Sequence, residues 1–215
     1  MKIYENKDLL VISKPCGLAT IPPSKGIKAV STLFPKFFPV HRLDSPTSGL
    51  LILAKSSGCA AYMIEQFKKR KVLKAYVGIS DHITPYRRQV VWEDELVRSD
   101  KKNGPVILIA KNESVQSLHA KTHVDLYPDE MGTLLMFKPH TGRTHQLRVQ
   151  SYHHGYALLG DNMYKGKTYL FLCLHALALQ FKDRNGKDIK LFSPPQHWKR
   201  GIEFEKFLQS HHPLQ

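Results

Sequence analysis

Val40-His41-Arg42-Leu43-Asp44-Ser45-Pro46-Thr47-Ser48-Gly49-Leu50-Leu51-Ile52-Leu53-Ala54-Lys55 is the stretch around which the rest of the chain is organised. An apolar-led segment delivers Arg42 and Asp44 with one residue between them, a Pro-Thr-Ser-Gly turn follows, and the continuous apolar run Leu50 to Ala54 reads as a buried strand. Asp44 is thereby expected at a strand end, pinned between two ordered elements. A carboxylate beside Arg42 is kept ionised by the neighbouring cation, which suits a nucleophile or a base. The same residue also fits a turn aspartate bonded to its own backbone, with Arg42 solvated beside it. Spacing alone leaves both readings open and leans to the turn.

Composition narrows the class. Of 215 residues, 42% are apolar, with Phe and Tyr scattered along the chain. That describes a globular protein with a sizeable core, as one large domain or two closely packed subdomains. The 32 Lys and Arg against 18 Asp and Glu give a formal charge of +14. A folded chain so basic is expected to bind a polyanion by displacing counterions from phosphates, the other reading being basicity kept for solubility. Cys16, Cys59 and Cys173 lie far apart, so neither a disulfide framework nor a zinc site is indicated, and a reducing, cytoplasmic setting fits. Lys2, Glu5, Lys7 and Asp8 stand where a signal peptide would need an apolar core. No run approaches the roughly 18 apolar residues of a membrane span.

Around the central stretch, Leu9-Leu10-Val11-Ile12 reads as a buried strand stopped by the turn Lys14-Pro15-Cys16-Gly17. A short helix is expected over Ala29 to Phe34, and Pro39 leads into the strand of Asp44. Ser56 or Ser57 caps a helix running to about Arg70, with Ala60, Met63, Ile64 and Phe67 as its buried stripe. It ends in Lys68-Lys69-Arg70-Lys71, cations that match the helix dipole and are open to phosphate contact, an import signal being the remaining reading. Lys74 to Ile79 is expected as a strand carrying Tyr76. Residues 81–135 read as a β-meander with strands Tyr86 to Val97, Val106 to Ala110, His119 to Leu126 and Thr133 to Phe137, and turns at Asn103-Gly104-Pro105 and Pro128 to Gly132. On a strand, His119 and His123 are too far apart to share a metal and are expected at the surface or facing RNA. Thr144 caps a helix from His145 to His154 closed by Gly155, with Gln146, Val149 and His153 on one side and Arg148 and Tyr152 on another. A strand Tyr169 to Phe181, a hairpin turn at Asn185-Gly186, a strand Ile189 to Phe192 and an amphipathic helix begun by Ser193-Pro194-Pro195 complete the chain, with a frayed tail from Gln209.

His41-Arg42-Leu43-Asp44-Ser45-Pro46-Thr47-Ser48-Gly49-Leu50-Leu51 resembles the signature of the RluA-type pseudouridine synthases, enzymes that isomerise uridine in RNA. Four further segments resemble the family in its order. Asp8 to Leu18 is similar to its opening strand and Lys-Pro-x-Gly turn, and Lys74-Ala75-Tyr76 to its Lys-x-Tyr segment. Pro139-His140-Thr141-Gly142-Arg143-Thr144-His145-Gln146-Leu147-Arg148-Val149 is similar to its second signature, and Gly160-Asp161-Asn162-Met163-Tyr164 to its Gly-Asp-x-x-Tyr element. The resemblance spans residues 8–164, and its two long motifs are the specific ones. It implies an α+β pseudouridine synthase fold: a long mixed, mostly antiparallel sheet with flanking helices and a central basic cleft. It also implies a single catalytic domain over residues 1–215. Because the family's first strand starts by residue 8, no small S4-like RNA-binding domain is expected before it, and the catalytic domain itself must grip RNA.

Converting uridine to pseudouridine breaks the N-glycosidic bond, turns the freed uracil and joins its C5 to C1′ of the ribose. The chemistry requires no metal and no redox cofactor, and none is expected. The resemblance implies that Asp44 is the catalytic aspartate, acting as a nucleophile on ribose or base or as a base that initiates glycal formation. Arg148 would pair with Asp44 and hold it ionised and oriented, a helix-surface cation meeting phosphate being its other reading. Tyr76 would stack on the extruded uracil and carry a proton at C5; from the residues alone it is a core tyrosine. Arg42 would help displace the target nucleotide from its stack or fill the gap left behind. Arg143 and the helix-end residues Lys68, Lys69, Arg70 and Lys71 would position phosphates. Gly160, Asp161 and Tyr164 read as a structural loop near the cleft, and His175 as a satisfied core histidine.

The expected partner is tRNA or rRNA, bound by a monomer with no obligatory protein partner and no membrane. Residues 81–131 match the family loosely and lack its Pro- and Trp-bearing segment, so they do not specify the target. One rival is a non-catalytic RNA-binding or RNA-folding protein on the same fold. Binding alone needs cations and aromatics but no ionised carboxylate facing phosphates, so the joint retention of Asp44, Tyr76 and Arg148 argues against it. The other rival, a DNA-binding protein, lacks a helix-turn-helix or zinc signature.

Overall fold

A computed structural model describes residues 2–98, 106–109, 116–198, 201–211 and 214. In chain order the elements are β1 (Lys2–Glu5), β2 (Leu9–Lys14), α1 (Val30–Leu33), β3 (Phe38–Pro39), β4 (Ser48–Ala54), α2 (Ser57–Lys68), β5 (Leu73–Ser80) and β6 (Arg88–Arg98). There follow β7 (Val106–Ile109), β8 (Leu118–Asp129), β9 (Gly132–Pro139), α3 (Gln146–His153), β10 (Leu174–Lys182), β11 (Asp188–Phe192) and α4 (Gly201–Ser210). The chain is α+β and forms two compact units, Met1–Tyr76 with His175–Gln215, and Val77–Leu174.

In the first unit the strands run β1-β2-β4-β10, with β3 also on β4 and β11 on β10. Only the β4–β10 pair is parallel among these. All seven residues of β4 are buried, which explains why its sequence is a continuous apolar run: both faces are covered. Leu50, Ile52 and Ala54 join Leu9, Val11, Cys59, Met63 and Phe181 in one cluster. Leu51 and Leu53 join Leu10, Ile12, Val30, Leu43 and Ala176 in another, the two-residue alternation of a strand. Gly49 is the tight point of this arrangement. Its φ is +110°, and a Cβ there would fall on the backbone of Ala176, its register partner on β10. Gly49→Ala is therefore expected to lower the unfolding free energy by about 2 kcal/mol or more in urea titration; an unchanged midpoint would contradict that packing.

Ser56 caps α2 by accepting from the Cys59 amide at 3.2 Å, and the helix buries Cys59, Ala60 and Met63. Ile64, expected in the stripe, is 39% exposed. The apolar face is rotated toward Cys59, a small thiol that packs like an aliphatic residue. The helix stops at Lys68, and Arg70 turns left-handed at φ 57°.

In the second unit β9-β8-β6-β7 follow in antiparallel order. Leu96, Val106, Ala120, Val149 and Tyr164 form a core cluster in it, which seats α3 through Val149.

Four expectations are corrected. Asp44 does not end a strand; residues 40–47 form a loop, and β4 begins only at Ser48. α3 begins at Gln146, and its cap is His145, in a left-handed conformation, in place of Thr144. The strand expected from Tyr169 starts at Leu174, because the preceding backbone bonds to another loop: the Gly160 amide donates to the Lys167 carbonyl and the Cys173 amide to that of Leu159. Ser193-Pro194-Pro195 leads into a short 3-10 turn, Gln196–Trp198, and the last helix starts at Gly201 and runs through Ser210, beyond the expected fraying at Gln209. The turn at Asn103-Gly104-Pro105 and the strand end at Ala110 lie outside the described residues.

Candidate active site

The loop bearing Asp44 is clamped from both sides. Lys14 ends β2 fully buried, and its ammonium donates to the carbonyls of Pro15 at 3.0 Å, Leu18 at 2.6 Å and Ser45 at 3.1 Å. The Gly17 amide donates to the Ser45 carbonyl and the Ser45 hydroxyl to that of Gly17, both at 2.9 Å. The Thr20 hydroxyl donates to the Leu43 carbonyl at 2.9 Å and accepts from its amide at 3.1 Å. The Asp44 carbonyl accepts from Thr47, closing the turn, and the Asp44 side chain is half-buried. Burial pulls Lys14 down to about 8, with Cys16 and Asp44 acting in the opposite direction. At neutral pH Lys14 is thus a buried cation whose field reaches Asp44. The sequence reading gave it only a turn.

Tyr76 lies on β5, packed against the cluster that holds Leu10, Ile12, Leu43 and Leu51. Burial first, and then the Asp44 charge, push its hydroxyl well above the ordinary value of 10. Tyr76 is therefore an un-ionised phenol in the field of Asp44, suited to stacking and to donating a hydrogen bond. Lys74 lies on the same side of the strand, two residues back, and burial pulls it to about 8. His41 is neutral, held to about 3 by burial and then by Lys74, and its Nε2 accepts from the Ile52 amide at 3.0 Å.

Arg148 is not a surface cation. It is 6% exposed, and its Nε and Nη2 each donate to Asp161, itself 1% exposed, at 2.7 Å. The guanidinium also sits 5.2 Å over the Tyr164 ring, and the Tyr164 oxygen accepts from the Val106 amide at 3.0 Å. The Gly-Asp-x-x-Tyr element, read from sequence as a structural loop, is thus what orients Arg148. α3 is buried on both of the sides that the spacing distinguishes, with Gln146 to Ser151 all buried. Gln146 accepts from the Thr141 hydroxyl at 2.7 Å and the Arg143 amide at 3.0 Å and donates to Thr122 at 2.9 Å. Gln150 accepts from Thr122 and donates to Asp94, both at 2.7 Å.

The remaining basic candidates are exposed: Arg42 beside Asp44, Lys68, Lys69, Arg70 and Lys71 at the end of α2, and Arg143 before α3. Lys69 pairs with Glu65 at 3.2 Å, and the Arg143 Nε donates to the His119 carbonyl at 3.0 Å. His119 faces Glu93 and Glu95. His175 is fully satisfied: its Nε2 donates to the Ser193 carbonyl, and its Nδ1 accepts from the Ser48 hydroxyl, both at 2.8 Å. Among the described residues no group of His, Cys, Asp and Glu could hold a metal ion, and no helix is long and apolar enough to cross a membrane.

His41 and His175 are both held at about 3 by burial, against an ordinary 6.5. Between those values the unfolded chain binds more protons than the folded one. Stability from these groups is therefore complete above about pH 6.5 and is lost as pH falls toward 3. Urea titrations at pH 7 and pH 4.5 should show that loss, with a shallower one in His175→Gln; a midpoint flat across the interval would contradict it.

A half-buried carboxylate braced by a buried lysine, set beside an un-ionised tyrosine in a chain of charge +14, is the kind of site an enzyme acting on a polyanion presents. The model of the RNA pseudouridylate synthase family matches residues 8–153, and the chain belongs to that family. It is 32% identical over 211 residues to ribosomal large subunit pseudouridine synthase C of Buchnera aphidicola subsp. Schizaphis graminum, covering 89% of this chain and 66% of that protein. It is 30% identical over 222 residues to the dual-specificity RNA pseudouridine synthase RluA of Vibrio vulnificus, covering 93% and 80%. The chain thus spans about two thirds of the length of the large-subunit synthase it matches. Human RNA Pseudouridylate Synthase Domain Containing 1 shares the fold, with a TM-score of 0.75 at 23% identity over 90% of this chain and 82% of that one.

Proposed function

We propose that the chain is an RNA pseudouridine synthase that flips a defined uridine out of its stack and isomerises it through Asp44. The observation that supports this most is the fixed loop of Asp44 with Lys14 beneath it and Tyr76 in its field, inside the family-matched residues. In the balanced reaction the N1–C1′ bond breaks, the uracil turns, C5 bonds to C1′, the C5 hydrogen leaves as a proton, and N1 gains one. Asp44 acts as nucleophile, or as the base that opens a glycal route. Tyr76, un-ionised, stacks on the turning uracil; its raised pKa makes it a poor resting-state base. Arg148, held rigid by Asp161, supplies a fixed cation. Arg42 enters the space of the displaced nucleotide, while Arg143 and Lys68 to Lys71 hold phosphates. The protein acts as one catalytic domain and as a monomer on tRNA or rRNA. Large-subunit rRNA is the favoured target, since relatives carry that substrate in their names.

Carbodiimide labelling with reverse-transcription stops on unmodified rRNA and tRNA tests this reading. Treatment with the protein should create stops at a defined uridine. Tight RNA binding without new stops would favour the non-catalytic RNA-binding reading.

A further inference from the structure

We propose that Leu170 is an apolar wedge that enters the base stack of the substrate RNA, on a loop whose lysines hold the adjoining phosphates; this rests on the RNA-modifying reading above. Leu170 is 91% exposed, more than any other large apolar side chain among the described residues. It is presented by a fixed loop. The Gly160 amide donates to the Lys167 carbonyl at 2.8 Å, the Gly166 amide to that of Asp161 at 2.9 Å, and the Cys173 amide to that of Leu159 at 2.8 Å. Gly160 has φ +75°, and a Cβ on it would collide with the Phe171 carbonyl, so the two backbones run in contact. Leu172 and Cys173 are buried, and Tyr169 and Phe171, both part-buried, meet edge to face at 5.3 Å. Both neighbours of Leu170 are anchored while its own apolar area stays available to a partner.

The surroundings select the partner. Residues 162–171 carry exposed Lys165 and Lys167 and no acid. The Lys165 ammonium lies 5.6 Å from the ring centre of Tyr152, which is 39% exposed and offers a face to a base. Asp161, at the base of the loop, is buried and neutralised by Arg148. An apolar tip between cations complements a phosphate-lined base stack. Apolar side chains inserted at base steps unstack them, and a uridine must leave its stack before its sugar bond is reachable. Through Asp161 the wedge and Arg148 belong to one rigid piece of the second unit.

The test uses an in vitro large-subunit rRNA transcript and the same transcript with the target stem opened by mismatches. Leu170→Ser is expected to lower kcat/KM on the paired transcript about tenfold, the scale of one lost stacking contact, and on the opened one less than about twofold. Leu170→Met, which keeps an apolar tip, should recover most of the loss. Lys165→Ala with Lys167→Ala should weaken binding to both transcripts and reduce the slope of log affinity against log salt by about one to two. Wild-type kinetics for Leu170→Ser on the paired transcript, or equal loss on both, would overturn the wedge while leaving the function intact. A wild type that makes no pseudouridine on any RNA would overturn both. Self-association in sedimentation that Leu170→Ser abolishes, with RNA kinetics unchanged, would replace the wedge with a protein contact.

Discussion

Asp44→Ala is expected to lower pseudouridine formation by at least about 10⁴-fold while RNA affinity stays within about threefold of wild type. The separation follows from how the loop is built. Its bonds to Lys14, Gly17 and Thr20 run through the backbone of Leu43 and Ser45 and the Ser45 hydroxyl, and the turn uses the Asp44 carbonyl, which alanine keeps. The substitution therefore removes the carboxylate and keeps each of those bonds. It also removes one of the charges that hold up Lys14, so that lysine should titrate lower still. Asp44→Asn keeps the volume and hydrogen-bonding shape; equal inactivity would assign the effect to charge. Product above about a tenth of the wild-type rate in either variant would contradict the role given to Asp44.

The next largest effect is expected at Arg148 and Asp161. Arg148→Lys should cost about 10²–10³ in kcat/KM, because a point charge does not replace a planar fork. Asp161→Asn removes the charge of the carboxylate to which two nitrogens of the buried Arg148 guanidinium donate and should destabilise the fold by about 3–5 kcal/mol. Since both substitutions break one interaction, the double variant should lose much less stability than the two single losses added together. Strict additivity in urea titrations would show that the pair does not act as a unit.

The first unit was legible where apolar pattern decides: β4 buries both faces, and its unbroken Leu and Ile run says so. α3 was legible as a helix, expected over His145 to His154 and found over Gln146–His153, but its burial was not, because its buried residues are Gln146, Arg148, Gln150 and Ser151 among two apolar ones. Hydrophobic patterns do not reveal the burial of polar side chains whose amides are satisfied by partners on β8 and β6, here Thr122 and Asp94. Lys14 went unrecognised as a brace because lysines are rarely fully buried, and only the fold brings the Ser45 carbonyl to an ammonium that already meets the local carbonyls of Pro15 and Leu18. Asp161 could not be matched to Arg148 by spacing, since it follows in a loop without periodicity. Tyr169 to Cys173 has the composition of a strand, but long-range bonds to the Leu159–Gly160 loop override that preference. Asp44 and Tyr76 stood out by family resemblance; residue type alone favoured a turn aspartate and a core tyrosine.

Tritium release tests the central claim most directly. Joining C5 to C1′ displaces the C5 hydrogen, so a large-subunit rRNA transcript made with 5-tritiated uridine delivers one tritium to water for each isomerisation. The wild-type protein is expected to release tritium to a plateau set by its target uridines, and Asp44→Ala, bound to the same transcript, none. No release by the wild type on a transcript it binds, or equal release by both proteins, would contradict isomerisation through Asp44.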